Sequence, residues 1–302
     1  MGTMARGAAL LACAVVSACG DSGQAATAPP VQTISGNWYL IDPSAPPTQG
    51  QLNEIGAALL VQNGSVTGNA TVAISDASGQ CASYGLDLSL TGSVDANGHL
   101  SLHATDNIDT LALSATLDPN RSAFANGAYT AIGAESYPQT SPATGPCSTP
   151  SGKLHGTLMT PVNASYVGTL QTTDGASILV TLTTHQDTVP LAGMSYGAHP
   201  AIITHGNMVF LVGGFAVTGT MQLRHSACGV TRGKIQPQNG YVWGTVLQIE
   251  FDTDTSYHKG ATFDTYIDPT TGALSVVGGQ VYSVDSTHFC AAHFVPGTLT
   301  RQ

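Results

Sequence analysis

Apolar and polar residues alternate along much of the chain. Leu88 and Leu90 alternate with Ser89 and Thr91, and the segment 110–117 has a leucine or alanine at every second position. This period of two predicts β-strands that bury one face and expose the other. Asn-Gly and Asp-Gly pairs separate several of the runs, as tight hairpin turns require. No stretch carries a sustained apolar stripe of period 3.6, so we expect an all-β chain with antiparallel pairing.

Short motifs recur in the same order in the two halves of the chain. The first half contains Val66-Thr67-Gly68, Cys81, Leu117-Asp118-Pro119, Gly127-Ala128-Tyr129, Cys147 and Gly156-Thr157-Leu158. The second half contains Val217-Thr218-Gly219, Cys228, Ile267-Asp268-Pro269, Gly279-Gln280-Val281-Tyr282, Cys290 and Gly297-Thr298-Leu299. We therefore expect two tandem β-modules, residues 34–161 and 162–302, each with about eight strands. A meander of that size closes into an up-and-down β-barrel and leaves no free edge.

A pair of immunoglobulin-like sandwiches is the alternative fold. Trp243 follows Cys228 closely and Cys290 comes later, as the cysteine and tryptophan spacing of such domains requires. The first copy has no tryptophan after Cys81. In both copies about three strands precede the first cysteine, where an immunoglobulin domain has one. The pattern therefore favours barrels.

Composition narrows the classes of partner. The chain has 8 Lys and Arg against 18 Asp and Glu, a formal net charge of −10, and only 9% charged residues. Neutral polar residues must therefore form most of the surface, which suits strands and turns. So few cations argue against nucleic acid and against anionic membrane surfaces as partners.

The first residues have the features of an export signal. Arg6 precedes an apolar run over residues 8–18, which is about half the length that a membrane-spanning helix needs. The run ends in Val16-Ser17-Ala18-Cys19-Gly20, which resembles the lipobox of bacterial lipoproteins. The resemblance implies a signal peptide over residues 1–18, acylation of Cys19 with palmitate-type chains, and a flexible tether over residues 19–33. The glycine after the cysteine implies the outer membrane of the cell envelope.

Four cysteines remain once Cys13 leaves with the signal peptide and Cys19 takes the lipid. An even number of cysteines in an exported chain favours disulfide bonds, and three connectivities are open in principle. The internal repeat places one pair in each module. We therefore expect the disulfides Cys81–Cys147 and Cys228–Cys290.

The opening strand of the first module resembles that of another barrel family. Gly36-Asn37-Trp38 is similar to the Gly-x-Trp of avidin- and lipocalin-like barrels, whose indole plugs one end of the barrel. The mature chain also resembles a set of uncharacterised tandem β-module lipoproteins of soil bacteria, which implies the fold and no activity. The second copy opens on Ser165-Tyr166-Val167 and carries an insertion at about 187–206. Either its lumen is more open, or Trp243 supplies the plug.

One motif matches that of a serine hydrolase. Gly193-Met194-Ser195-Tyr196-Gly197 has the Gly-x-Ser-x-Gly pattern of a nucleophile elbow, which presents its serine at a strand-to-helix turn. The residues that follow, 198–203, contain a proline and β-branched residues that preclude the required helix. Catalysis by Ser195 is therefore the weaker hypothesis.

Two groups of possible metal ligands lack the spacing that a metal site requires. Seven of the ten histidines lie in the second module, with no spacing that brings two onto one ion. Glu250, Asp252 and Asp254 alternate along a strand end, but Tyr257 occupies the glycine position of a calcium loop and Phe263 that of its final glutamate. We expect no metal and no cofactor.

These observations predict a lipid-anchored protein of the cell envelope that is not an enzyme. Its expected role is that of a non-catalytic binding or structural module, held to the membrane through its N-terminal lipid. The alternatives are a small-ligand carrier that uses a barrel lumen, and a hydrolase that uses Ser195. The expected partners are a small apolar ligand or a protein or glycan of the cell surface.

Overall fold

The computed structural model describes residues 34–43, 54–75, 82–105, 110–132, 151–191, 195–196, 199–200, 202–205, 208–211, 214–225, 228–235, 239–252, 259–284 and 288–302. Within these ranges every regular element is a β-strand, and none is a helix long and apolar enough to span a membrane. The strands form two closed antiparallel barrels, as the alternation predicts.

The first barrel is an up-and-down meander of eight strands. They are β1 (Gly36–Ile41), β2 (Glu54–Gln62), β3 (Ser65–Ser75), β4 (Ala82–Val94), β5 (His99–Thr105), β6 (Thr110–Thr116), β7 (Ala123–Ile132) and β8 (Ser151–Leu158). Each strand pairs with the next, and β1 pairs with β8 from Trp38↔Leu158 to Ile41↔His155. This closing pair excludes the open edges of an immunoglobulin-like sandwich.

Alternation explains which side of each strand faces the core. On β5 and β6 the side chains of Leu100, Leu102, Leu111 and Leu113 are buried, while their sequence neighbours are exposed. Tight turns connect the strands where Asn-Gly pairs occur. Asn63 and Gly64 both have positive φ, at 53° and 80°, which glycine and asparagine tolerate best.

The strands of the second barrel also follow one another around a closed ring. At two places in this ring, two short strands stand in place of one long strand. Its strands are β9 (Ala164–Gln171), β10 (Ser177–Pro190), β11 (Ser195–Tyr196), β12 (His199–Pro200), β13 (Ile202–His205), β14 (Met208–Leu211), β15 (Phe215–Arg224), β16 (Arg232–Ile235), β17 (Gly240–Trp243), β18 (Val246–Asp252), β19 (Lys259–Ile267), β20 (Leu274–Val284), β21 (Phe289–His293) and β22 (Gly297–Arg301). The pair β16 and β17 fills one position between β15 and β18, and β21 and β22 fill another beside β20. The pairing of β10 with β15 closes the ring of eight positions.

Two local expectations about the second module need correction. The insertion lies between Pro190 and Phe215, later than the expected 187–206, and contains the hairpins β11–β12 and β13–β14. The period of two would place Trp243 on one strand face with Leu247 and Ile249. A turn at Gly244 separates it from them, because Gly244 has a φ of 51° and ends β17. Leu247 and Ile249, which follow the turn, belong to the core cluster of the second barrel, and Trp243 does not.

Candidate functional site

The interior of the first barrel is filled by its own side chains. Trp38 is 1% exposed, donates its indole N–H to the carbonyl oxygen of Ile34 at 2.8 Å, and stacks on Phe124 with ring centroids 6.0 Å apart. The indole therefore lies in the core, as the Gly-x-Trp resemblance implies. Aliphatic residues such as Leu40 and Leu113 line this interior, and the space between them is too narrow for a water molecule.

The second barrel also has a core of buried side chains, which includes a tyrosine on its opening strand. Tyr166, on the opening strand β9, is fully buried, and Phe263 stacks on Phe294 with ring centroids 4.8 Å apart. Burial raises the pKa of Tyr166. Its hydroxyl oxygen lies in the core without a hydrogen-bond partner among the described residues. Trp243 is not part of this core, so the expectation that it plugs the second barrel is wrong.

A disulfide bond crosses one end of the second barrel. Cys228, in the segment after β15, bonds to Cys290 on β21 with sulfur atoms 2.12 Å apart. This is the pairing that the internal repeat predicts. Cys19, Cys81 and Cys147, the expected lipidation site and the other expected pair, lie outside the described residues.

The two barrels meet through a buried asparagine. Asn37 precedes Trp38 on β1, so alternation turns Asn37 outward while the indole turns inward. Its amide nitrogen donates to the carbonyl oxygen of Gly244 at 2.8 Å, and its amide oxygen accepts from the Gly244 N–H at 2.7 Å. Asn37 is 2% exposed. One side chain therefore satisfies both backbone groups of a turn in the other barrel.

A second buried asparagine repeats this arrangement on β3. Asn69 donates to the carbonyl oxygen of Leu191 at 2.5 Å and accepts from the N–H of Gly214 at 2.7 Å. The N–H of Leu191 in turn donates to the carbonyl oxygen of Gly214 at 2.9 Å. Asn69 therefore binds both ends of the insertion, where the chain leaves β10 and enters β15.

Gly56 on β2 lets the backbones of the two barrels approach closely beside Asn37. A Cβ atom on Gly56 would lie 2.7 Å from the amide nitrogen of Gly244 and 2.8 Å from Cδ1 of Trp243. Trp243 is 9% exposed and packs with Tyr241 and Leu191, outside the core of the second barrel. The indole therefore belongs to the junction between the barrels, which we define by Asn37, Asn69, Gly56, Trp243 and Gly244.

The linker between the barrels is short and is bound to both. Residues 159–163 separate β8 from β9. The N–H of Met159 donates to the carbonyl oxygen of Asn37 at 2.8 Å in the first barrel. The N–H of Val162 donates to Oε1 of Gln186 at 3.2 Å in the second, and the Thr184 hydroxyl donates to the Val162 carbonyl oxygen. The two barrels consequently have a fixed arrangement.

The residues considered for catalysis do not form a site. Ser195 lies on the two-residue strand β11, opposite Pro200, and not at a strand-to-helix turn. Asp254 lies outside the described residues. Among those that are described, no three histidine, cysteine, aspartate or glutamate side chains lie close enough to hold a metal ion.

Glu250 belongs instead to a polar group on the outer face of β18 to β20. Its Oε1 accepts a hydrogen bond from the hydroxyl of Tyr282 at 3.0 Å. The Tyr282 ring crosses Gly260, where a Cβ atom would lie 2.7 Å from the hydroxyl oxygen. On the same face Gln248 donates to Asp264 at 3.4 Å, and burial raises the pKa of the Asp264 carboxyl.

A second buried tyrosine and carboxylate pair lies in the first barrel. The Tyr129 hydroxyl donates to Oδ2 of Asp42 at 3.1 Å. Burial, together with the adjacent carboxylate, raises the pKa of Tyr129 to about 12. Gly152 makes room for this pair, because a Cβ atom there would lie 2.3 Å from the same carboxylate oxygen. The pair is held within one barrel wall and faces no cleft that the described residues form.

Sequence reasoning missed the junction residues. Asn37 and Asn69 stand at outward positions of alternating strands, where a polar residue normally faces water. Their burial depends on a contact between modules, which a one-dimensional pattern does not encode. Comparison with models of protein families, with curated proteins and with solved structures finds no match to this chain.

Proposed function

We propose that this chain is a lipid-anchored protein of the bacterial cell envelope, held in the outer membrane through acylated Cys19. Its two barrels act as a non-catalytic binding module whose contacts are made by outer strand faces. The lipobox-like segment before Cys19 supports the anchor. The filled barrels support binding at the exterior.

The observation that carries the proposal is the packed interior of the first barrel. Ligand pockets commonly enclose about 300 to 1,000 Å³ of space. The space among the core side chains of this barrel has no room for even a water molecule. The described barrel therefore gives no support to the alternative of a small-ligand carrier, and it leaves the outer faces as binding surfaces.

The junction supports a role in which both barrels act together. Asn37 and Asn69 bind backbone groups of the second barrel, and Gly56 admits the turn at Gly244. Buried polar groups of this kind fix one arrangement, because any shift leaves them without partners. The protein consequently presents a single wide surface.

Labelling with an alkyne analogue of palmitate tests the anchor. We expect the wild-type chain, expressed in a diderm bacterium, to take up the label and to fractionate with the outer membrane. The Cys19→Ser variant should lose both properties. The Cys13→Ser variant, with a change in the expected signal peptide, should keep both. Equal labelling of wild type and Cys19→Ser would contradict the proposed anchor.

A further inference from the structure

The few cations of this chain are unevenly distributed. The chain has eight Lys and Arg residues, and three of them, Arg224, Arg232 and Lys234, fall within eleven positions on β15 and β16. Other cations serve the fold. Arg121 donates to the carbonyl oxygens of Asp95 and Ala96, at 3.2 and 2.9 Å. The cluster on β15 and β16 therefore holds a large share of the cations left for binding.

The three cations lie on one outer face. Arg224, Arg232 and Lys234 are exposed. Their neighbours Leu223 on β15 and Gly233 on β16 are buried, as alternation requires. The register places Gln222 opposite Arg232 and Thr220 opposite Lys234. At about 3.3 Å per residue, Arg232 lies about 7 Å and Lys234 about 13 Å from the level of Arg224 along the strands. The charges thus form a row parallel to the strands, which we call the cationic row.

Few carboxylates accompany the cationic row. Strands β15 and β16 contain no Asp or Glu, and β10 contains only Asp187, near its far end. The nearest carboxylates belong to Glu250 and Asp252 on β18, which pairs with β16 on the side away from β15. The backbone register places Asp252 opposite Lys234. The three cations form no ion pair with any side chain described. Since the Debye length is about 8 Å at physiological salt, acidic residues on more distant strands are largely screened from this face, while Asp252 lies within that distance of Lys234.

Neutral hydrogen-bonding groups extend the face beyond the charges. Gln222 and Thr220 are exposed on β15, between Arg224 and the start of the strand. On β10, Thr183 is exposed opposite Thr220. Such hydroxyl and amide groups pair with the hydroxyls of a sugar, while Arg and Lys pair with carboxylates.

We propose that the cationic row binds an acidic polysaccharide, aligned with strands β15 and β16, through the carboxylates of its uronate residues. This proposal rests on the envelope location proposed above and names the class of partner. An extended polyanion matches charges that run along the wall of the barrel. A planar membrane surface would instead match charges placed around one end.

The cationic row lies far from the junction between the barrels. Strand β15 begins at Phe215, next to Gly214, whose N–H donates a hydrogen bond to Oδ1 of Asn69 in the first barrel. Arg224 ends that strand, about 30 Å away at 3.3 Å per residue. The cationic row therefore lies toward the end of the second barrel that is remote from the junction.

Binding to sodium polygalacturonate, a linear polymer of uronate residues, tests the proposal. The full chain with Cys19→Ser serves as the parent, because that change removes the proposed lipid and alters neither barrel. We compare the pair Arg232→Gln and Lys234→Gln with the control pair Lys153→Gln and Lys259→Gln, which removes the same charge elsewhere. Circular dichroism checks that each variant is folded.

We expect the parent to bind the polymer, the row variant to bind about tenfold more weakly, and the control to bind like the parent. Two exposed ion pairs at up to about 1 kcal/mol each set that scale. Binding should also weaken as salt is raised. Absence of binding by the parent, or equal binding by both variants, would overturn the proposal.

Vesicles containing phosphatidylglycerol provide the second arm. Loss of vesicle binding in the row variant, with no binding of polygalacturonate by the parent, would assign the row to lipid phosphates and overturn the polysaccharide proposal. The result is separable from the lipid anchor, since palmitate labelling of Cys19 is measured on the wild-type chain and does not depend on the row.

Discussion

Replacement of Asn37 by alanine tests the junction between the barrels. The side chain is 2% exposed and bonds both the N–H and the carbonyl oxygen of Gly244. The Asn37→Ala change leaves these two buried backbone groups without partners, and each such loss costs roughly 1 to 3 kcal/mol. We expect the free energy of unfolding to fall by about 3 kcal/mol, allowing for partial access of water to the vacated site.

Guanidinium denaturation followed by fluorescence and circular dichroism measures this loss. The wild-type chain should unfold in one cooperative transition, because the junction couples the barrels. In the variant the transitions of the two barrels should separate. The matched control is Asn120→Ala, at an exposed position in the turn before β7. A loss for Asn37→Ala no larger than that of the control would refute the reasoning.

The Asn37→Asp change adds a test of the hydrogen-bond pattern. A protonated carboxyl can donate to the Gly244 carbonyl and accept from its N–H, whereas a carboxylate can only accept. Burial and this donated bond should raise the pKa of the new carboxyl above its unfolded value of about 4. Stability is then full below that unfolded pKa and is lost as the pH rises through the folded pKa. A variant whose stability does not fall between pH 4 and 7 would contradict this pattern.

Three further outcomes are expected. Cys228→Ser removes the disulfide to Cys290, which closes a loop of 62 residues, and should lower the free energy of unfolding by about 4 kcal/mol. Denaturation with and without reductant measures this loss, and an unchanged midpoint would count against a stabilising disulfide. Tyr166→Phe removes a buried hydroxyl without a described partner and should leave the melting temperature unchanged or raise it, so a drop of several degrees would reveal an unseen partner. Ultraviolet titration should show a phenol that ionises near pH 12 in the wild type and is missing in Tyr129→Phe. Burial and the Asp42 carboxylate raise the pKa of this phenol. Its contribution to stability is therefore present below pH 10 and is lost as the pH rises toward 12.

The sequence was a sound guide to the barrels because the deciding signals are local. Alternation over segments such as 110–117 predicts which side chains are buried on β6, and these are the ones buried in the structure. The repeated motif order places Cys228 and Cys290 in the second module where Cys81 and Cys147 stand in the first. That order predicts the pairing that the structure contains.

Tertiary contacts explain where the sequence misled. Trp243 has the size and spacing of a core residue, yet it packs against Gly56 of the other barrel. Its position depends on the turn at Gly244, whose backbone groups are held by Asn37 across the junction. Tyr166 fills the second barrel, although a tyrosine hydroxyl in a core usually has a partner. None of these outcomes follows from the residues adjacent in sequence.

Binding surfaces are harder to predict than folds for the same reason. Arg224 and Lys234 are ten positions apart in sequence, and only the register of β15 with β16 aligns them on one face. Asp264 and Gln248 likewise meet through the pairing of β19 with β18, which also explains the burial that raises the pKa of Asp264. Once the register is known, charge and hydrogen-bonding capacity can be assigned to each face.

Native mass spectrometry of the protein purified from its membrane fraction tests the central claim most directly. The account places binding on the outer faces of barrels that are filled by their own side chains. It predicts that the native mass equals the denatured mass, with no small molecule retained. A stoichiometric adduct that is released only when the chain unfolds would contradict it and would restore the carrier hypothesis.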